Sequence, residues 1–333
     1  MREPAFWWRE GATAARLLAP LAALYGAVAG ARLARRGRRA PVPVVCVGNL
    51  TVGGAGKTPA ALAAARLLAA AGERPVFLTR GYGGTLAGPL LVDPARHRAD
   101  AVGDEPLLLA RAAPTVVARD RVEGAAAAAA AGASVVVMDD GFQNPSLAKD
   151  ASVLVIDGRR GIGNARVIPA GPLRAPLDGQ LARAHALVVV GRSTGAAAVV
   201  VEARARGIAV FAARLEPDAG ALAALGGARV LAFAGIGDPE RFFATLAEAG
   251  VAVAATRSFP DHHRYRRSEL AALRSAAARD GLVLLTTEKD RARLDARAAP
   301  VTALPVTLAF EDEAGFKSLL LERIRSRTER RMG

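Results

Sequence analysis

The chain has 333 residues, 52% hydrophobic and 23% charged, which excludes a disordered polypeptide and leaves room for two domains of ordinary size. A single cysteine, Cys46, excludes a disulfide framework and suits a reducing compartment. The net charge of +14 invites an anionic partner, but aromatic residues make up only 5% and no nucleic-acid-binding motif is present, so anionic lipid or a phosphorylated substrate ranks ahead of nucleic acid.

The N-terminal stretch from Leu17 to Ala31 carries no charge and is followed by Arg32, Arg35, Arg36, Arg38 and Arg39. A spanning helix needs about 20 apolar residues, so this run is too short to cross a bilayer comfortably. With Trp7, Trp8 and Tyr25 beside the arginines, a helix over 11–31 is expected to lie at headgroup level, the alternative being a core helix with a basic tail. A secretory signal is excluded because the dense positive charge follows the apolar run instead of preceding it.

"VPVVCVG" (42–48) reads as a buried strand and "PAALAAARLLAAAG" (59–72) as a helix, with Pro59 in its first turn and Gly72 as a stop. Between them, "GNLTVGGAGKTP" ends in the Gly-Lys-Thr of a phosphate-binding loop, yet position 51, where G-x-x-x-x-G-K-[ST] starts with glycine, is Thr51. The backbone of Thr51, Gly53, Gly54, Ala55 and Gly56 is expected to turn N–H groups toward phosphate. Lys57 supplies charge over the β/γ-phosphates and Thr58 a hydroxyl for Mg²⁺. ATP and Mg²⁺ are the cofactors implied.

Short strands follow at 74–84, 113–120, 134–144 and 151–158, with an Ala-rich helix at 121–133. Uniformly apolar strands alternating with helices indicate α/β architecture with a parallel sheet covered on both faces. "VVVMDDG" ends its strand in Asp139 and Asp140, the way a Walker-B element presents carboxylates to a metal beside a P-loop. "VGDEPLLLAR" places Asp104 and Glu105 before Pro106 and an apolar run; from the residues alone this is a helix N-terminus whose acids offset the dipole. The Gly-, Pro- and Arg-rich segment 159–179 breaks the rhythm as a functional loop. Strands resume at 186–191, 208–215, 229–237, 282–290 and 304–310, with helices at 238–250, 268–280 and 314–330. "FPDHHRY" concentrates Asp261, His262 and His263 in a chain with four histidines. A metal site is conceivable there, but a general base or a phosphate contact fits better, since histidine titrates near neutrality.

Nine segments now stand in order: "GNLTVGGAGKTP", "LTRGYGG", "GDEPLLLA", "VARDR", "DDGFQ", "VIDGRRGIGN", "PAGPLR", "FPDHHRY" and "TTEKD". Together, over about residues 40 to 290, they resemble the tetraacyldisaccharide 4'-kinase family of the lipid A pathway, whose loop carries Thr at the position of Thr51. The resemblance implies a P-loop NTPase-like three-layer α/β/α domain (41–178), a second, smaller α/β domain (179–333, its last helix free to pack back on the first), and a membrane-associated segment (1–40). It implies ATP-dependent phosphorylation of the 4'-hydroxyl of a tetraacylated glucosamine disaccharide 1-phosphate at the cytoplasmic face of the inner membrane, with no obligate protein partner. By motif, Asp104 pairs with His262 as the base, Asp139 and Asp140 serve the metal with Thr58, and Glu105, Gln143 and Arg174 are expected to meet substrate. Arginines of the 159–174 loop are expected at the acceptor's 1-phosphate. Two positions depart from the family pattern: Asn144 where His is usual and Ala175 where Glu is usual. A membrane-associated P-loop ATPase of the partitioning type is the rival, disfavoured by Val52 where those loops carry lysine; a kinase for another lipid or sugar is the second.

Overall fold

The computed structural model describes residues 3–54, 56–294 and 301–332. Its strands, in chain order, are β1 (Val44–Asn49), β2 (Pro75–Thr79), β3 (Leu90–Leu91), β4 (Thr115–Val117), β5 (Val135–Asp139), β6 (Ala151–Asp157) and β7 (Ala186–Val190). Then follow β8 (Ala209–Pro217), β9 (Val230–Ala234), β10 (Val253–Ser258), β11 (Val283–Thr287), β12 (Thr302–Leu304) and β13 (Val306–Phe310). Nine form one sheet in the order β13-β8-β7-β6-β1-β5-β2-β4-β3, and four form a second in the order β10-β9-β11-β12. Pairing is parallel throughout except at the two rims of the large sheet, where β13 and β3 run antiparallel to β8 and β4.

The three layers follow from apolarity on both faces. β1, β5, β6 and β7 are buried at every residue. On one face, helices Lys57–Ala69 and Glu313–Met332 contribute Ala60, Ala64, Phe316 and Leu320 to a core against Val45, Val47 and Val137. On the other, Ala125, Val199 and Leu181 pack with Cys46, Met138 and Leu154. Burial pushes the Cys46 thiol up to about 11, as befits an inert core residue. In the small sheet, β9 alternates sides: Leu231 and Phe233 meet Leu270 and Leu273, while Val230, Ala232 and Ala234 meet Phe242, Phe243 and Leu246.

Two expectations are corrected here. The boundary drawn at 178/179 does not separate the sheets: β7 and β8 extend the large sheet, and after β12 the chain returns to it as β13. The small sheet is therefore built from 230–304, and the loop at 159–179 lies within the large unit. The single helix expected at 11–31 is two, Thr13–Leu17 and Ala19–Ala34. The break precedes Pro20, which has no N–H to continue the first helix. No helix among the described residues is long and apolar enough to cross a membrane.

Candidate active site

A cleft of about 1400 Å³ lies between the C-terminal ends of the parallel strands of the large sheet and the loops of the small one, where open α/β sheets bind ligands. Its first wall is the P-loop. β1 runs into the loop, Gly56 caps helix Lys57–Ala69 with φ 91°, and no side chain occupies that cap, so the helix's first N–H groups stay open to an anion. Thr51 does not turn at all. It is buried, bridges antiparallel to Leu173, and its carbonyl accepts from Arg174 Nε at 3.0 Å. Ala55 lies outside the described residues. Lys57 Nζ donates to the Gly53 carbonyl at 3.2 Å and sits 3.8 Å from Asp140. Burial pushes the Lys57 ammonium down, against the pull of Asp140.

The pairing of β1 with β5 sets Val47 beside Asp139. Thr58 Oγ1 donates to Asp139 Oδ2 at 3.4 Å, while Asp139 Oδ1, fully buried, has no hydrogen-bond partner among the described residues. Burial, then the charges of Glu105 and Asp140, push its carboxyl up to about 7. An unpaired buried carboxylate oxygen raised by neighbouring acids is a place completed by a cation. Magnesium is ordinarily held by one or two carboxylates with water and phosphate oxygens, and Asp139 beside Thr58 offers such a carboxylate. Asp140 has φ 51° and pairs with Arg174 Nη1 at 3.1 Å. Burial would raise its carboxyl, but Lys57 and Arg174 outweigh that and hold it low.

The second wall brings together residues far apart in sequence. His262, also left-handed at φ 55°, places Nδ1 3.3 Å from Asp104 Oδ1. His262 lines the cleft and is a third exposed, whereas Asp104 is buried at the start of helix Asp104–Leu109. The hydrogen bond that His262 donates to Asp104 raises the imidazole, burial working against it. Burial would raise Asp104 too, but the bond to His262 and the charge of Arg293 hold it well below the usual carboxylate range. The Tyr82 ring lies 5.0 Å from the His262 ring. His263 points away, Nε2 2.9 Å from Glu269 and its ring stacked on Phe259.

Of the expected substrate contacts, Glu105 and Arg174 line the cleft and Gln143 does not. Gln143 Nε2 donates to the Asn49 carbonyl at 2.8 Å and to Gln180 Oε1 at 3.0 Å, both amide hydrogens being used to brace the P-loop from behind. The departures are equally remote: Asn144 closes a turn by accepting from Ser146, and Ala175 is buried. Arg159 and Arg160 reach the cleft but are engaged, with Asp238 at 2.9 Å and Glu3 at 2.5 Å.

Sequence reasoning missed three features. Helix Glu288–Arg293 sends Lys289 to Glu105 at 2.7 Å and Arg293 to Asp104; "TTEKD" had marked the segment, but not its cations. Arg121 is buried on the cleft with Nε unpartnered among the described residues, lowered by burial and then by the charge of Arg80. Glu3, paired with Arg160, rests its carboxylate against Gly53 of the P-loop. No motif announces a tertiary contact of this kind.

The model of the tetraacyldisaccharide-1-P 4'-kinase family matches residues 14–325. The tetraacyldisaccharide 4'-kinase of Nitrobacter winogradskyi is 57% identical over 330 residues, 97% of this chain and 98% of the relative. That of Rhodopseudomonas palustris strain BisA53 is 56% identical over 335 residues, 99% and 98% of the two chains. Among solved structures, an "apo" form LpxK from Aquifex aeolicus in complex with ATP superposes with a TM-score of 0.74 at 29% identity, covering 93% of this chain and 99% of that one.

Proposed function

This chain belongs to the tetraacyldisaccharide-1-P 4'-kinase family, and from that premise we propose how its cleft divides the work of phosphoryl transfer. The chain is an ATP-dependent lipid A 4'-kinase acting on a lipid disaccharide. Lys57 and the open N–H groups behind Gly56 hold the β- and γ-phosphates. Thr58 and Asp139, with Asp140 beside them, are the residues that would hold magnesium, which supplies neutralisation of phosphate charge when bound with the nucleotide.

The 4'-hydroxyl oxygen attacks the γ-phosphorus, the bond to the β,γ-bridging oxygen breaks, ADP departs, and the hydroxyl proton passes to the Asp104–His262 dyad. Since His262 faces the cleft with Asp104 behind it, Nε2 receives the proton and Asp104 holds Nδ1–H, an orientation that matches general-base geometry. The single observation carrying this reading is the 3.3 Å contact between Asp104 and His262 across the cleft from the P-loop. The unused donor of Arg121 beside Arg80 suits an anionic group of nucleotide or acceptor better than the engaged arginines of the 159–174 loop.

The finer reading of the acceptor is a tetraacylated disaccharide 1-phosphate taken from the cytoplasmic face of the inner membrane. Leu17, Leu21, Leu24, Tyr25 and Val28 are exposed at helical spacing, while Ala22, Gly26 and Leu33 face inward, and Gly26 and Gly30 pack on Pro176. An apolar stripe flanked by Arg32, Arg35 and Arg36 suits a helix lying on anionic lipid. The test is transfer of γ-labelled phosphate from ATP to the disaccharide in detergent micelles. Labelled lipid in the wild type, lost in His262→Ala, supports the reading; equal labelling in both removes the dyad from it.

A further inference from the structure

We propose that Arg293 is the positioning residue of the dyad, fixing which oxygen of Asp104 faces His262 and thereby which imidazole nitrogen faces the cleft. The inference rests on the dyad proposed above. A guanidinium has five N–H donors in a rigid fork, and four of those of Arg293 reach an acceptor. Nε donates to Asp104 Oδ2 at 2.8 Å and Nη2 donates to the same oxygen. Nη2 also lies 3.3 Å from His262 Nδ1, close enough for its charge to act on the ring, while Nδ1 keeps its own hydrogen for Asp104. Nη1 donates to the Gly235 carbonyl at 2.6 Å and to Asp290 Oδ1 at 3.0 Å.

The fork is itself rooted. Asp290 is completely buried and accepts from the Gly235 N–H, Tyr265 Oη at 2.8 Å and Thr287 Oγ1 at 2.7 Å. Arg293 and Asp104 are 7% and 4% exposed, so neither can swing into solvent without leaving a buried partner bare. Two donors converging on Oδ2 leave Oδ1 as the oxygen open to His262. Nδ1–H then bonds Oδ1, and the Nε2 lone pair is the one that meets a substrate hydroxyl. The charge of Arg293 next to Nδ1 also opposes protonation of the ring, keeping it competent as a base. The groups facing this imidazole are Asp104 and Arg293 at Nδ1, Asp261 at 3.9 Å from Nε2, and the Tyr82 ring.

A purely structural tie between the two units would predict something else: lost stability with unchanged chemistry per folded molecule. The experiment compares Arg293→Met, Arg293→Lys and His262→Ala in the full chain. It reads kcat, KM for ATP, melting temperature and the pH profile of kcat. Misplacing a catalytic group by about 1 Å can cost about 10²-fold, so Arg293→Met is expected to lose about that in kcat with KM for ATP within about threefold. Removing the cation beside Nδ1 raises the imidazole, so the acid limb of the profile should move to higher pH. Arg293→Lys keeps the charge but cannot span Asp104 Oδ2, the Gly235 carbonyl and Asp290 at once. It should hold the limb near its wild-type position while remaining slower than wild type.

An unmoved limb in Arg293→Met, or a fall in melting temperature with kcat intact, overturns the proposal. Should Arg293→Met not fold, Arg293→Lys decides alone: slower turnover at near-normal melting temperature supports it, and wild-type turnover overturns it. Near-normal turnover in His262→Ala would instead sink the dyad itself. A crippled His262→Ala beside a normal Arg293→Met would sink only the role given to Arg293.

Discussion

The two walls of the cleft are built by different means. On the phosphate wall, Lys57 and Thr58 open the helix that follows β1 and its loop, Asp139 ends β5 with Asp140 after it, and the pairing of those two strands brings the four together. On the opposite wall, Asp104 is anchored by Arg293, 189 residues away, and meets His262 from another loop of the small unit. The first wall is carried by one parallel pair buried on both faces. The second depends on two units meeting, and its charges are matched across that junction: Asp104 with Arg293 and Glu105 with Lys289. Phosphate binding can thus be complete on one unit, while the proton acceptor is completed only where both meet.

The sharpest way to break this contrast is Lys57→Ala. With the Lys57 charge gone, the β/γ-phosphates lose a partner that the sheet cannot replace, and kcat should fall by about 10³-fold or more, since removing one electrostatic stabiliser already costs about 10²–10³. Labelled-phosphate transfer at saturating ATP measures it; near-normal transfer would mean that the loop does not hold the nucleotide. The second wall is tested by Asp104→Ala and His262→Ala, each expected to cost about 10²–10⁴-fold in kcat. Because the two act as one unit, the double variant should be scarcely worse than the worse single one. His263→Ala, whose ring is occupied with Glu269 and Phe259, should be mild in kcat. Additive losses would show two independent residues instead of a dyad.

Asp104→Asn sharpens the same point through pH. The hydrogen bond to Asp104 raises the His262 imidazole, so in the wild type the base is lost by protonation as pH falls through that raised value. Taking away the carboxylate lowers the imidazole, and the acid limb of kcat should move to lower pH, opposite in direction to Arg293→Met. A limb that stays where it was, at reduced kcat, would place the titrating group elsewhere.

The same difference governs what the sequence could reveal. The P-loop and the Asp139–Asp140 pair were legible from the residues themselves, because strand, glycine loop and helix are local patterns with local physics. Asp104 read locally as a helix-start acid, which it also is; only resemblance to a family paired it with His262. Arg293 and Arg121 were invisible among so many arginines, and "TTEKD" contained Lys289 without showing its partner, since nothing in spacing says which cation is buried against which acid. Gln143 was misassigned for a related reason: a motif shows that a residue sits near a site, not on which side of the loop its amide is used. β7 and β8 were recognised as strands, but their sheet was not, because long-range pairing leaves no periodic trace. β10, with only alternating half-buried residues, was missed as a strand.

A smaller effect is expected at the N-terminal helices, which belong to neither wall. Leu21→Asp with Leu24→Asp should weaken binding to anionic vesicles and raise KM for micellar acceptor, leaving kcat at saturating acceptor unchanged. Added salt should weaken wild-type binding, each nearby arginine contributing about 1 kcal/mol at an anionic surface. Vesicle flotation at two salt concentrations measures both, and binding indifferent to salt and to both aspartates would remove this helix from the membrane contact.

The smallest effect is expected at the position where the loop departs from the common pattern. Thr51→Gly would restore the usual glycine, yet the structure gives glycine nothing to do there. The turning is done at Gly53 and Gly56, with φ of 97° and 91°. Residue 51 is instead held like a strand, bridged to Leu173, with the Val52 N–H donating to the Pro172 carbonyl at 2.8 Å. Glycine at such a site adds freedom to the unfolded chain and costs about 0.5–1 kcal/mol. That corresponds to a fall of about 2 °C in melting temperature for a chain of this size. Turnover should stay within about twofold, because the N–H groups that meet phosphate lie beyond this residue. Gly56→Ala is the contrast: a side chain forced into the left-handed region costs about 1–2 kcal/mol, and the strain falls on the helix cap that faces the nucleotide. If Thr51→Gly instead raised kcat well beyond twofold, the bridge to Leu173 would be restraining the loop, and the phosphate wall would not be carried by its strand pair alone.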